Sequence, residues 1–97
     1  NMLGGRLRAA QNRLNALAGE RAEQRVAKTL LMLSSKLGQS LPFTRQEIAD
    51  MSGTTIETTI RVMSRMKRGG IIRSHRGRTD ILDETGLKLL SEGPPPV

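Results

Sequence analysis

Hydrophobic positions along the chain change period several times, and each change marks an element. Leu3, Leu7, Ala10, Leu14 and Leu17 alternate steps of four and three, with Arg, Gln and Asn outside the seam. That spacing is the a/d stripe of a coiled coil and predicts a helix that pairs with a parallel copy. Gly4 and Gly5 weaken its first turn. Ala18-Gly19 breaks the pattern, and a second helix follows from Glu20 to Leu37. Its expected buried face is Ala22, Val26, Ala27, Leu30, Leu33 and Leu37, with Glu20 and Glu23 in the first turn and Lys36 in the last, as the helix dipole favours. Gly38 supplies the stop. Residues Gln39 to Phe43 read as a short connection, in which Pro42 ends any helical option.

Thr44-Arg45-Gln46-Glu47 is a capping box. It opens a short helix with Ile48, Ala49 and Met51 apolar, interrupted by Ser52-Gly53-Thr54. Thr55 then caps a longer helix from Ile56 to Arg68, whose inward stripe is Thr59, Val62, Met63 and Met66. Gly69-Gly70 terminates it. Ile71 to His75 and Arg78 to Leu82 read as two strands around Arg76-Gly77, a β-hairpin. Asp83 caps a last helix with Leu87, Leu89 and Leu90 to bury, and the closing GPPPV is a tail. A short helix, a tight turn containing glycine and a longer helix make a helix-turn-helix, and the hairpin makes it winged. Gly53 sits where the turn needs positive φ, Ala49 where the helices approach, and Ile48 and Val62 where they bridge. The predicted fold is mainly α with a small β-hairpin wing: residues 1–18 end a dimerisation helix, 19–92 form the winged helix-turn-helix, and 93–97 are tail.

Charge gives this fold a partner. The net charge is +7 and the pI about 11.3, which favours a polyanion. From Arg61 to Thr79 there are seven basic residues and no acidic one. A helix fits the major groove and carries its N-terminal side chains to base edges, while a wing lies along phosphates. The single aromatic, Phe43, excludes a stacking platform for bases. Without cysteine there are no disulfides or thiolate metal sites, a composition that suits the cytoplasm. No apolar run reaches the roughly 18 residues of a membrane span. No constellation reads as catalytic: Glu20 and Glu23 are a helix N-terminus, and His75, the only histidine, lacks a second metal ligand and reads as a solvent-facing strand residue. The competing reading is a winged helix for protein–protein contact, against which the basic run argues.

The stretches AEQRVAKTLLML, TRQEIADMSGTTIETTIRVMSRMKRGGIIRS and ILDETGLKLL resemble the C-terminal half of Crp/Fnr-type bacterial transcription regulators. The resemblance runs from Leu14 to Leu90, and its most specific part is the TRQEIA opening joined to a Glu-x-x-x-Arg helix. It implies a two-fold dimer on double-stranded DNA, with RNA polymerase as a further partner, and an effector domain in a longer parent chain. Asn1 before Met2 reads as a tag remnant, and no cofactor is expected in this segment. By the same resemblance Glu57 accepts from cytosine N4 and Arg61 donates to guanine O6 and N7 of one G·C pair. Ile56 matches the apolar residue of the Fnr branch. Ile60 departs from that branch's Ser and can contact a thymine methyl. TTGA-like half-sites in an inverted repeat follow. Arg45, Thr54, Thr55, Arg76 and Arg78 are expected on phosphates, and Leu3, Leu7, Ala10, Leu14 and Leu17 in the dimer seam.

Overall fold

A computed structural model describes residues 21–93 of the chain. The predicted seam of Leu3, Leu7, Ala10, Leu14 and Leu17 lies outside the described residues, as does the tail from residue 94. Helix α1 occupies residues 21–37. It is followed by β1 (Ser40–Leu41), α2 (Arg45–Ser52), α3 (Ile56–Arg68), β2 (Ile72–His75), β3 (Arg78–Ile81) and α4 (Glu84–Glu92). The three strands form one antiparallel sheet in the order β1-β3-β2.

The core gathers one face from every element: Val26, Ala27 and Leu30 of α1, Leu41 of β1, Ile48 of α2, Val62, Met63 and Met66 of α3, Ile72 and Ile81 of the sheet, and Leu87 of α4. Each fully buried Val, Leu, Ile or Met among them contributes roughly 1.5–3 kcal/mol relative to exposure. The expected stripe of α3 is the observed one, with Thr59 and Val62 both 0% exposed. Between α1 and α2 the contact is partly polar. The buried Ser52 hydroxyl donates to Thr29 Oγ1 at 3.0 Å, and Thr29 donates to the Arg25 carbonyl at 3.0 Å. No buried side-chain N or O among the described residues lacks a partner.

Three expectations are corrected. Leu37 is 54% exposed, because α1 runs one turn beyond Leu33, the last of its core residues. Leu89 is 63% exposed while Leu87 is fully buried. Residues two positions apart on a helix are separated by about 200°, so a helix that buries Leu87 and Ser91 turns Leu89 outward. The connection after Gly38 contains a third strand: Ser40 pairs with Asp80 and Leu41 with Thr79. Two residues are too short to show a period of two.

The turn between α2 and α3 has the predicted geometry. Thr44 and Glu47 close both hydrogen bonds of the capping box, at 3.1 and 3.0 Å. Gly53 adopts φ 70°, ψ 32°, and Thr54 N donates to the Ala49 carbonyl at 3.1 Å. A Cβ at Gly53 would meet nothing within 4 Å, so a substitution there costs backbone strain alone, about 1–2 kcal/mol for an ordinary L-residue. A β-branched residue is strained further in this region, whereas Asn tolerates it. Gly53→Val is therefore expected to lower the melting temperature clearly more than Gly53→Asn, where 1 kcal/mol corresponds to about 4–8 °C. Equal melting temperatures for the two variants would show that this position is not held left-handed in solution.

Candidate nucleic-acid interface

Helix α3 has one buried and one solvent-facing side. Glu57, Ile60, Arg61 and Ser64 are all exposed, and their i, i+3, i+4, i+7 spacing puts them in one row. Ile60 is 43% exposed, a large apolar side chain held in water beside Arg61. Ile56 is half-buried at the start of the helix. Among the described residues no ion pair joins Glu57 to Arg61, so both present unneutralised groups. The last turn carries Arg65, Lys67 and Arg68, where the helix dipole favours positive charge.

The threonines before and within the first turn have different tasks. Thr55 caps α3, accepting from Thr58 N at 3.2 Å and donating its own proton to Thr58 Oγ1 at 2.9 Å. Thr54 Oγ1 lies 2.7 Å from Oγ1 of the buried Thr59, which pins the turn to the core side of α3. Both hydroxyls expected on phosphates thus already have partners inside the protein. Thr58 was not singled out from the sequence. Its hydroxyl accepts from Thr55 and keeps its own proton to donate.

Arg45, the first residue of α2, donates from Nη2 to Ser74 Oγ on β2 at 3.1 Å. It ties the start of the helix-turn-helix to the wing. Nothing local marks Ser74, which is 29 residues away. Arg76 and Arg78 are exposed around Gly77, whose φ of 69° closes the hairpin.

The sheet has two unlike faces. Leu41, Ile72, Thr79 and Ile81 are buried on the inner one. The outer face carries Ser40, Arg73, His75, Arg78 and Asp80, paired as Ser40 with Asp80, Arg73 with Asp80 and His75 with Arg78. His75 faces solvent as expected, and its Nε2 is also 3.2 Å from Asp80 Oδ2. The same oxygen accepts from Arg73 Nη2 at 3.3 Å. These side chains, with Pro42, border a shallow concavity of about 600 Å³. The Ser40 hydroxyl first, then Arg73 and His75, hold the Asp80 carboxyl below its ordinary value against an opposing effect of desolvation.

The Crp-like helix-turn-helix domain matches residues 24–90 of this chain. The chain belongs to the Crp/Fnr family. It is 39% identical over 85 residues to the transcriptional regulatory protein btr of Bordetella pertussis, covering 79% of this chain and 35% of that protein. It is 37% identical over 93 residues to the transcriptional regulator SdrP of Thermus thermophilus, covering 89% and 46%. The crystal structure of the Thermus thermophilus catabolite activator protein superposes with a TM-score of 0.85 at 32% identity, covering 94% of this chain and 43% of that one. The chain spans less than half the length of these relatives. In Crp/Fnr terms the described part is the DNA-binding winged helix-turn-helix domain.

The lowered Asp80 pKa gives a signed expectation. Because the folded value lies below the unfolded one, the stabilisation is complete above the ordinary carboxylate value of about 3.9 and is lost as pH falls through the folded value. Acid titration followed by backbone amide shifts should show Ser40, Arg73 and His75 responding together, at a pH below the titration of a free aspartate. Asp80→Asn should abolish that common response. A midpoint at or above that of a free aspartate would contradict the geometry.

Proposed function

We propose that this domain binds double-stranded DNA in a sequence-specific manner for transcription regulation, with α3 in the major groove. The observation that carries the reading is the exposed row Glu57, Ile60 and Arg61 on the N-terminal half of α3, opposite the buried Thr59, Val62 and Met63. Neither charged member has an ion-pair partner among the described residues. Glu57 accepts from a cytosine N4 amine and Arg61 donates to guanine O6 and N7 of the same base pair. Ile60 and Ile56 contact thymine methyls, which agrees with TTGA-like half-sites. Arg76 and Arg78 at the wing tip and Arg45 at the start of α2 contact phosphates, and Thr54 and Thr55 do so by exchanging their internal hydroxyl contacts for phosphate oxygens.

The parent regulator binds as a homodimer on an inverted repeat, joined through Leu3, Leu7, Ala10, Leu14 and Leu17, with half-sites about 34 Å apart. A preceding effector domain supplies the signal, RNA polymerase is the further partner, and the site of action is the bacterial cytoplasm. The seam from Leu3 to Leu17 spans only 15 residues, with two glycines in its first turn, close to the about 12–15 residues at which an isolated helix is marginal, so it makes a weak dimer alone. Sedimentation should show dimers on a palindromic duplex. A monomer under all conditions would remove the dimer from the reading.

Base-reading and phosphate-contacting residues differ in what their loss does. Arg61→Ala should cost about 1–3 kcal/mol on a site selected from random duplexes and little on random DNA. Arg78→Ala should weaken both alike and lower the salt slope by about one unit. Full retention of the selected G·C preference by Arg61→Ala would take α3 out of the groove and favour a protein-contacting winged helix instead.

A further inference from the structure

Asp80 is the one acidic side chain on the outer face of the described sheet, and DNA contact by arginines does not use it. In the sequence it follows the uninterrupted basic run from Arg61 to Thr79. Folding turns it back among those cations. It lies on the middle strand, opposite Ser40 on one side and Arg73 on the other. Its side chain is 18% exposed, whereas those of Arg73 and His75 are 60% and 50% exposed. The sheet sets the face on which the short Asp80 side chain stands, and the two basic groups reach back to one of its oxygens from longer, more solvated stems. As a contribution to stability such an exposed pair is small. As a charge placed within a phosphate-binding wing it has a different consequence.

We propose that Asp80 is a built-in competitor of the DNA backbone: it engages the side chains of Arg73 and His75, leaving Arg76 and Arg78 to meet phosphates, and it thereby limits sequence-independent binding. The inference rests on the DNA-binding reading above. Non-specific affinity grows with each phosphate neutralised and counterion released. A phosphate approaching Arg73 has to displace the carboxylate or sit beside it, like charge next to like charge. The backbone of Asp80 is paired on both sides, which keeps its side chain on this face of the sheet. A regulator has to find its site among a vast excess of random duplex, so a device that lowers random binding raises the useful fraction on the correct site.

The test is salt-dependent titration of the full chain, at one fixed pH, against a random duplex, with wild type, Asp80→Asn, Arg73→Gln and the double variant. Asp80→Asn is expected to bind random duplex several-fold more tightly at low salt, with a salt slope steeper by about one unit. Arg73→Gln is expected to be near neutral in the wild-type background and to reverse the gain in the Asp80→Asn background. Unchanged or weaker binding by a folded Asp80→Asn protein overturns the proposal, as does an Arg73→Gln loss of equal size in both backgrounds. If Asp80→Asn does not fold, Arg73→Gln and His75→Gln in the wild type decide: near-neutral binding supports the proposal, and loss of a full slope unit by either overturns it. Wild type that binds no duplex overturns the DNA-binding reading together with this one, whereas wild-type binding with no effect of Asp80 overturns this one alone.

Discussion

Burial of Thr59, Val62, Met63 and Met66 sets the rotation of α3 about its own axis. All four are at most 2% exposed, and they pack against α1, α2 and the sheet in one core. A rotation of α3 by a single residue position, about 100°, would bury Arg61 and Arg65 in one direction or Lys67 in the other, and would expose Met66 in both. Burying an unpaired charge costs several kcal/mol, so the core leaves one choice for which side chains face outward. The row Glu57, Ile60 and Arg61 is in this sense a consequence of what lies behind it. The Thr54–Thr59 hydroxyl contact adds a second lock at the same end, because it connects the turn to the buried side of α3.

The helix-turn-helix and the wing are joined by different means. Between α1 and α2 the joint is a buried hydroxyl chain through Ser52 and Thr29. Between α2 and the sheet it is the exposed Arg45–Ser74 bond at 3.1 Å. Water competes with the second and hardly with the first, while the buried Ile72 and Ile81 hold the base of the wing in the same core as the helices.

The outer face of the sheet shows how a uniform sequence feature is divided by folding. Along the chain the basic run is continuous. In space Arg65, Lys67 and Arg68 belong to the end of α3, Arg76 and Arg78 to the wing tip, and Arg73 to a cluster with Asp80 and His75. Net charge predicts attraction to a polyanion. It does not say which of the cations are already engaged.

The elements themselves were legible in the sequence because their signals are local: the Thr44 and Thr55 caps, the positive-φ glycine at 53, and the four-residue stripe of α3 all depend on neighbours within one or two turns. The family followed from the same stretches. What was not legible depended on distant partners. β1 is too short to have a period and exists because Leu41 and Ser40 meet β3. Leu37 and Leu89 carry apolar side chains like their neighbours, and only the extent of the surrounding core decides that they stay in water. Thr54 and Thr55 look alike on paper, yet one bonds to Thr59 inside and the other to Thr58 at the cap. By itself the sequence determined the helix-turn-helix, its helix faces and its charge, since those rest on contacts within a few residues. Tertiary structure alone decided the third strand, the Arg45–Ser74 tie and the capture of Arg73 and His75 by Asp80, since each needs strands or helices far apart in the chain to be brought side by side.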